Sequence, residues 1–339
     1  MTNLIKTWAA AGPGKPFERF SYDPGPLKAD EVEIHVEYCG LCHSDLSMWE
    51  NAWGVSVYPL VPGHEVVGRI VARGGEVRGL NEGDRVGLGW FARSCMHCAQ
   101  CLAGDYHLCA AAQATIVGRH GGFAERVRCH FAWAIPVPEA LPASSSGPLF
   151  CGGITVFSPL MELGVRPVDR VGVVGIGGLG HLALQYLHAW GCDVTAFTSR
   201  AGKASDLQSL GAHRVVASTD ERALTELAGS LDLLLVTTSA ALDWPRFMTT
   251  LAPRGHLHFV GAVLEPLNIG AFSLISGQKS VSGSPLGRIS TLRHMLDFTT
   301  RHKVEPIVEH FPMSRVNDAF NHLRSGKARY RIVLDPDFA

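Results

Sequence analysis

Four cysteines lie close together in the chain, at a spacing typical of a metal-binding loop. Two residues separate each of the first three and seven residues precede the fourth: Cys95, Cys98, Cys101 and Cys109. Four thiolates can complete the tetrahedral coordination of one Zn²⁺ and leave no position for a substrate. An iron–sulfur cluster also uses clustered cysteines. Neither the long spacing before the fourth cysteine nor an adjoining dinucleotide-binding fold requires such a cluster. The loop predicts a structural zinc site.

A glycine-rich turn farther along predicts dinucleotide binding. Gly175-Ile176-Gly177-Gly178-Leu179-Gly180 fits G-x-G-x-x-G, follows the apolar run Val171–Val174 and opens the helical pattern Leu179–Trp190. The first glycine makes the tight turn, the second admits the pyrophosphate, and the third packs helix on strand. The helix amino end offers N–H groups to the phosphates. The predicted cofactor contacts here are Gly175, Gly177, Gly178, Leu179 and Gly180.

The residues roughly 20 positions beyond this turn distinguish the two nicotinamide cofactors, because a carboxylate there binds the ribose 2′-hydroxyl of NAD. This chain has Thr198, Ser199 and Arg200, with Lys203 beyond, and no carboxylate. Hydroxyls and cations suit a 2′-phosphate, which favours NADP(H). The alternative is that Arg200 and Lys203 are solvated surface charges.

A second set of metal donors is dispersed along the chain. Its members are Cys42, His43, His64, Glu65 and Cys151. Taken separately, each thiol or imidazole is more often a buried core group than a ligand. Taken together, they suit a zinc ion with three protein ligands and an open position, which is the arrangement of catalytic zinc.

These motifs together resemble the zinc-dependent alcohol dehydrogenases of the medium-chain dehydrogenase/reductase superfamily. The similarity is greatest to the cinnamyl-alcohol-dehydrogenase-like branch, which includes bacterial NADPH-dependent aldehyde reductases. It runs from about residue 5 to the C-terminus. Besides the cysteine loop, it is most evident in Tyr38–Asp45, Pro62–Glu65, Cys151–Phe157, Val171–His181 and Lys327–Leu334. It implies an α/β protein with a mainly β GroES-like catalytic domain and a doubly wound Rossmann cofactor domain.

The resemblance implies a role for each dispersed donor. Cys42, His64 and Cys151 would be the catalytic zinc ligands, and Glu65 an alternate ligand. Asp45 would orient His64, since ligating histidines need such a partner. Two zinc ions per chain are therefore predicted.

The resemblance also implies a proton path and further cofactor contacts. Ser44 would pass the proton of the substrate hydroxyl. Ser47 stands where many relatives have a histidine that ends the relay, so water or a ribose hydroxyl would complete it here. The implied cofactor contacts are His43 at the pyrophosphate, Thr155 at the nicotinamide, Arg331 near the phosphates, and Val260 and Gly261.

The elements that must position these residues change in character along the chain. Short β-type runs bounded by turn residues fill the first part, namely Val32–Tyr38, Glu65–Ala72, Arg85–Gly89, Phe123–Val127 and Trp133–Ile135. From about Ser144, apolar runs alternate with helix-length segments, which predicts a parallel sheet covered on both faces. Those runs are Val171–Val174, Asp193–Thr198, Leu231–Val236 and His256–Val260.

Three segments follow from this pattern. Residues 1–150 are the predicted zinc-binding catalytic domain and residues 151–279 the dinucleotide-binding domain. Residues 280–339 form a C-terminal segment that is too short to fold alone, so we expect it to return to the catalytic domain. It contains predicted helices at Thr291–Arg301 and Val316–Ser325, and strands near Val308 and at Arg329–Leu334.

The charge balance excludes two classes of partner. The net charge is −1, with 30 Lys and Arg against 31 Asp and Glu, which offers no attraction to nucleic acid or to an anionic membrane. The N-terminus lacks a signal-peptide pattern, and no apolar run approaches the roughly 18 residues of a membrane span. We therefore expect a cytoplasmic protein whose nine cysteines are metal ligands and free thiols.

The predicted reaction is the reversible, zinc-dependent reduction of aldehydes to primary alcohols with NADPH, in a homodimer that the resemblance implies. One alternative is an NAD-linked zinc alcohol or polyol dehydrogenase, against which the missing carboxylate argues. Another is a cofactor-binding protein without activity, against which the intact donor set argues. The aromatic residues Trp49, Trp53, Trp90 and Phe91 either line an apolar pocket for aliphatic or aromatic aldehydes or are ordinary packing.

Overall fold

A computed structural model describes residues 4–199 and 204–338. The chain divides into two compact units. Unit 1 comprises Met1–Cys151, Arg288–Arg301 and Glu305–Ala339, and unit 2 comprises Gly152–Gly287 and His302–Val304. Within the described residues, none of the helices combines the length and apolar character that a membrane span needs.

The strands and helices are numbered along the chain. The strands are β1 Ile5–Ala10, β2 Phe17–Tyr22, β3 Glu31–Leu41, β4 Val66–Arg73, β5 Arg85–Leu88, β6 Phe91–Arg93, β7 Gln113–Ala114, β8 Arg126–His130, β9 Ile135–Pro136, β10 Arg170–Val174, β11 Asp193–Thr198, β12 Arg214–Ala217, β13 Leu231–Val236, β14 Leu251–Phe259, β15 Ser280–Gly283, β16 Val308–Pro312 and β17 Arg331–Asp335. The α-helices are α1 His43–Glu50, α2 Ala99–Leu102, α3 Ala143–Ser146, α4 Gly152–Glu162, α5 Gly180–Trp190, α6 Ala204–Ser209, α7 Glu221–Glu226, α8 Trp244–Thr250, α9 Ala271–Ile275, α10 Ile289–His302 and α11 Val316–Arg324.

Unit 1 is built on a mainly antiparallel sheet that takes in the C-terminal strands. Its strand order is β16-β17-β3-β4-β5-β9, with β8 also paired to β3. Strand β17 runs antiparallel to β3, with Ile332 opposite Leu41. The C-terminal strand therefore lies beside the end of β3, directly before the amino end of α1.

An aromatic cluster fixes α1 in unit 1. Trp49 of α1 packs against Phe17 of β2 and Phe320 of α11, with ring centroids 5.6 and 5.1 Å away. All three side chains are buried. Helix α1 is held at one end by this cluster, and its other end is left to carry polar groups.

Unit 2 is a doubly wound parallel sheet, as predicted. Its strand order is β12-β11-β10-β13-β14-β15, and every neighbouring pair is parallel. The order reverses between β10 and β13, which is the position where such sheets bind ligands at the carboxyl ends of the strands. Apolar side chains including Trp244, Phe247 and Leu257 fill one buried core of this unit.

Three elements differ from the prediction. In the predicted run Phe123–Val127, only Arg126 and Val127 are in a strand, because β8 begins at Arg126 and continues to His130. In the predicted run Trp133–Ile135, Trp133 ends a 3₁₀ turn and β9 starts at Ile135. Strand β15 pairs with β14, so unit 2 extends to Gly287 rather than ending at 279. With one apolar residue in four, β15 carries no hydrophobic pattern that the sequence could reveal.

Candidate functional site

A buried carboxylate organises the amino end of α1. Asp45 is fully buried, and its Oδ2 accepts a hydrogen bond of 2.9 Å from the backbone N–H of Cys42. Its Oδ1 accepts from the backbone N–H of Gly63 at 2.8 Å and lies 3.0 Å from Nδ1 of His64. Asp45 thus ties the start of α1 to the turn that carries His64.

This contact decides which nitrogen of His64 faces the other donors. Since a carboxylate accepts hydrogen bonds, Nδ1 donates to Asp45 and Nε2 is left for a metal. Nε2 lies 3.3 Å from Cys151 Sγ, and Cys42 Sγ lies 3.8 Å from Cys151 Sγ. Ligand atoms of Cys42, His64, Glu65 and Cys151 all lie within 4.8 Å of one another. The structure therefore brings four of the five dispersed donors together within unit 1, and His43 is not among them.

The carboxyl group of Glu65 is held from one side only. Its Oε1 accepts from Arg331 Nη2, whereas its buried Oε2 has no hydrogen-bond partner among the described residues. Burial raises the pKa of Glu65 to about 7, although Arg331 opposes this effect. Gly40 makes room for the carboxylate, because a Cβ there would collide with Oε2. Two thiols, an imidazole and an unpaired carboxylate oxygen form a donor set that fits zinc.

Arg331 contacts Glu65 in this cluster, and sequence reasoning did not predict this contact. The resemblance assigns it to the cofactor phosphates, but its side chain is 5% exposed and pairs with Glu65. The partners are 266 positions apart, and no local spacing signals such a contact. A buried guanidinium requires a carboxylate partner, and Glu65 is that partner.

The proton affinities of the buried donors are strongly coupled. The hydrogen bond from Cys151 has the largest effect on the pKa of Cys42 and holds it well below its usual value. Burial acts in the opposite direction but is weaker. The same bond, together with burial, raises the pKa of Cys151. Burial lowers the pKa of His64, but Asp45 outweighs it and raises that pKa well above its usual value.

The four cysteines of the loop also converge. The Sγ atoms of Cys95, Cys98, Cys101 and Cys109 all lie within 4.8 Å of one another. Cys95 Sγ accepts from the backbone N–H of Cys98 at 3.3 Å. Backbone hydrogen bonds from His97 and Cys98 lower the pKa of Cys95 to about 6. A sulfur stabilised as thiolate in a four-thiol cluster fits a structural zinc ion.

The polar residues of α1 lie at different depths. Ser44 is partly exposed, with its Oγ 3.7 Å from Cys42 Sγ. His43 is exposed, whereas Ser47 is buried. Of the three, Ser44 is the residue in contact with a candidate metal ligand.

The four aromatic residues that could line an apolar pocket separate into two groups. Trp90 packs edge-on against His64, with ring centroids 5.0 Å apart, and Trp53 lies 5.9 Å from Trp90. Trp49 belongs to the buried cluster around α1, and Phe91 packs on Trp133. Of the four, Trp90 contacts the donor cluster directly, and Trp53 packs on Trp90.

The glycine turn lies at the switch point of the unit 2 sheet. Gly175 follows β10 with a φ of 93°, a conformation that favours glycine. Gly177 has open space where a side chain would begin, whereas a Cβ on Gly180 would collide with the Gly175 carbonyl oxygen. Gly178 and Leu179 lie between them, directly before α5.

The other predicted cofactor contacts occupy unit 2 at several places. Thr198 ends β11 and is buried, Ser199 follows it and is exposed, and Thr155 is buried in α4. Val260 and Gly261 follow β14, and both donate backbone hydrogen bonds to Val236 at 2.9 Å. Arg200 and Lys203 lie outside the described residues.

Two family models match the chain. Residues 28–139 match the alcohol dehydrogenase GroES-like domain, and residues 178–301 match the zinc-binding dehydrogenase family. The first range includes the cysteine loop and all the dispersed donors except Cys151, and the second includes the last three of the six residues of the glycine turn.

Known proteins similar to the chain match it over almost its full length. It is 53% identical to aldehyde reductase AdhA of Synechocystis sp. over 331 residues, covering 98% of each sequence. A cinnamyl alcohol dehydrogenase structure from Sorghum bicolor superposes with a TM-score of 0.94 at 34% identity, covering 98% of each chain. The CAD of Helicobacter pylori, solved with NADP(H), gives 0.90 at 29% identity, covering 99% of each chain.

Two glycine substitutions should separate cofactor binding from folding. Gly177→Ala should leave the melting temperature unchanged, because its Cβ meets open space, while weakening NADPH binding by blocking the pyrophosphate. Gly180→Ala should cost about 1–3 kcal/mol of stability, the usual range for overpacking. Calorimetric melting and NADPH titration test both. Equal NADPH affinity in Gly177→Ala and the parent would contradict the assignment.

Proposed function

Since the chain belongs to the zinc-dependent alcohol dehydrogenases of the medium-chain superfamily, we propose that it reduces aldehydes to primary alcohols with NADPH, reversibly. The observation that carries the proposal is the convergence of Cys42, His64, Glu65 and Cys151. The name of the Synechocystis relative, aldehyde reductase, supports this direction. Cells that keep NADP reduced would favour it as well.

The proposed ligands of the catalytic zinc are Cys42, His64 and Cys151, with Glu65 as an alternate. When bound there, zinc supplies Lewis-acid polarisation of the substrate oxygen, and the nicotinamide exchanges the hydride. The chain itself fixes the geometry: Asp45 holds the His64 ring, and Arg331 holds Glu65.

Ser44 is the proposed proton carrier. Its hydroxyl contacts Cys42 Sγ and is partly open to solvent, so it can exchange a proton with the substrate oxygen and pass it outward. Ser47 lies one helical turn farther along α1 but is buried. The relay is therefore proposed to continue from Ser44 through water or a ribose hydroxyl rather than through Ser47.

NADP(H) is the proposed cofactor. Ser199 is exposed directly after β11, at the carboxyl edge of the parallel sheet, where the adenosine ribose of a bound dinucleotide lies. Arg200 and Lys203 follow in the sequence and supply positive charge for a 2′-phosphate. The NADP(H) complex of the Helicobacter pylori structure supports this choice. The other proposed contacts are His43, Thr155, Val260 and Gly261.

Trp53 and Trp90 form the proposed apolar wall of the substrate site, because Trp90 contacts His64 directly. Such a wall suits aliphatic or aromatic aldehydes. Trp49 and Phe91 are left out of this proposal, since they pack against other aromatic side chains.

A homodimer is the proposed assembly, and the cytoplasm the proposed location. Strand β15 is an edge strand, and large apolar side chains on the same unit are exposed at Leu264, Phe272 and Ile275. A second copy covering these side chains would remove an exposed apolar surface. All nine cysteines are free thiols in the structure, which suits a reducing compartment.

Metal analysis tests the two proposed zinc sites. Protein from zinc-replete expression should contain two zinc ions per chain, because it holds two separate donor sets. Cys98→Ser should lower thermal stability, and Cys42→Ser should abolish turnover with the fold intact. One zinc or fewer in the parent protein would contradict the proposal.

Steady-state kinetics test the cofactor assignment. With a panel of aliphatic and aromatic aldehydes, NADPH should be strongly preferred over NADH, mainly through KM. A charge-assisted hydrogen bond contributes about 1.5–3 kcal/mol, so Arg200→Ala should weaken NADPH binding roughly tenfold or more. NADH binding should hardly change in that variant. Equal efficiency with both cofactors would refute the assignment.

The proton relay is tested at Ser44. Ser44→Ala should lower turnover by roughly 10²–10⁴, the usual scale of general acid–base catalysis, with zinc content and NADPH affinity near normal. Ser44→Thr should retain most activity, since it keeps the hydroxyl, and Ser47→Ala is the control with a much smaller effect. Parent-rate turnover by Ser44→Ala, with hydride transfer shown to be rate-limiting, would exclude the relay.

A further inference from the structure

Two histidines and two serines form a continuous hydrogen-bonded chain across β14 and β15. His256 Nε2 lies 2.6 Å from Ser282 Oγ, and His258 Nδ1 lies 2.7 Å from the same atom. His258 Nε2 lies 2.9 Å from Ser284 Oγ. The chain therefore runs from His256 through Ser282 and His258 to Ser284, and none of these residues has a role in the proposed zinc chemistry.

Polar side chains are unusual at this place in a sheet. Strands of a parallel sheet are commonly apolar on both faces, and Leu257 and Val281 on the other face of the two strands do pack in the core. Buried polar groups cost free energy unless they are hydrogen-bonded. His258 is 4% exposed, so its two contacts offset a cost that an apolar residue would avoid.

The hydrogen bonds in this chain must all point the same way. Burial, aided by the charge of His256, lowers the pKa of His258 to about 4, so its ring is neutral and has one donor and one acceptor nitrogen. Ser282 has one hydroxyl proton and two imidazole neighbours, so it donates to one and accepts from the other. If Ser282 donates to His258, then His258 donates to Ser284, and the Ser284 proton points outward. In the reverse arrangement, Ser284 donates its proton to His258 and offers a lone pair on the side away from His258.

The outer end of the chain lies at the cofactor edge of the sheet. Ser284 follows β15 and is half-buried, and its backbone N–H donates to Phe259 at the end of β14. Since β10, β14 and β15 are parallel, their carboxyl ends share the edge that carries the glycine turn. Strands β13 to β15 form the second half of the doubly wound sheet. The two halves of such a sheet each bind one mononucleotide of the cofactor, and the glycine turn takes the pyrophosphate. The nicotinamide mononucleotide is then expected to bind at the half of the sheet formed by β13 to β15.

We propose that the Ser284 hydroxyl binds the carboxamide of the nicotinamide ring and that His258 is a positioning residue that sets the direction of this hydrogen bond. The inference rests on the proposed function for the presence of a nicotinamide cofactor. The carboxamide has both a carbonyl acceptor and an amide donor, so either direction of the chain finds a partner. Because all the hydrogen bonds of the chain point the same way, the direction shared by His256, Ser282 and His258 decides which carboxamide atom Ser284 binds and thereby favours one orientation of the ring.

Calorimetric titration with two ligands tests this proposal. NADPH contains the carboxamide, whereas 2′-phospho-ADP-ribose lacks the whole nicotinamide ring but keeps the other contacts. Ser284→Ala and His258→Leu should weaken NADPH binding about threefold to tenfold, the range of one neutral hydrogen bond, and leave the fragment's affinity unchanged. Ser284→Thr should restore NADPH binding. His213→Gln is the matched control, because His213 Nδ1 accepts from the backbone N–H of Val194 in β11, in the other half of the same sheet.

A second readout does not depend on affinity. In protein with ¹⁵N-labelled histidine, the Nδ1 and Nε2 shifts of His258 should change on adding NADPH and stay constant with the fragment. Equal weakening of both ligands in Ser284→Ala, or no weakening of either, would overturn the proposal. If the parent binds NADH instead of NADPH, the cofactor assignment fails. The same comparison of NADH with ADP-ribose then still decides the role of Ser284, which remains testable even if His258→Leu does not fold.

Discussion

The buried carboxylate of Asp45 is the contact on which the geometry of the candidate site depends. A carboxylate removed from water is costly unless donors replace the lost hydration. Three N–H groups do so here, from Cys42, Gly63 and His64. Hydrogen bonds to a charged group contribute about 1.5–3 kcal/mol each. Because these donors come from two separate segments, the segments must meet at one place, and Cys42 and His64 then face the same space.

The cost of burying a carboxylate also explains why the C-terminal strands belong to unit 1. Strand β17 pairs with β3 and places Arg331 beside Glu65. The guanidinium holds one carboxylate oxygen, and the other has no hydrogen-bond partner among the described residues. Without that strand, Glu65 would be a buried carboxylate with no cation. The aromatic cluster of Trp49 with α11 secures the other end of α1, so both ends of the chain brace one short helix.

Much of this arrangement was predictable from the sequence. The cysteine loop and the glycine turn are local, so the spacing of the cysteines and the strand and helix patterns on either side of the glycines were enough to predict them. The candidate ligand set of Cys42, His64 and Cys151 required a resemblance to known enzymes, because its members are far apart in the sequence. The pairing of Arg331 with Glu65 was missed, since a contact between distant positions leaves no periodic signal. Strand β15 was missed because it is short and polar, and its polar residues belong to the histidine–serine chain.

The zinc affinity of Asp45→Asn tests the central claim most directly. Asn keeps the size of the side chain but loses one acceptor and the charge, so the His64 ring should lose its fixed orientation. Zinc competition with a chelator should show one site weakened about 10–100-fold, the usual effect of removing such a partner, and a second site unchanged. Asp232→Asn, which removes a carboxylate paired with Arg170 in unit 2, should leave both sites unchanged. Parent-like affinity at both sites in Asp45→Asn would contradict the account.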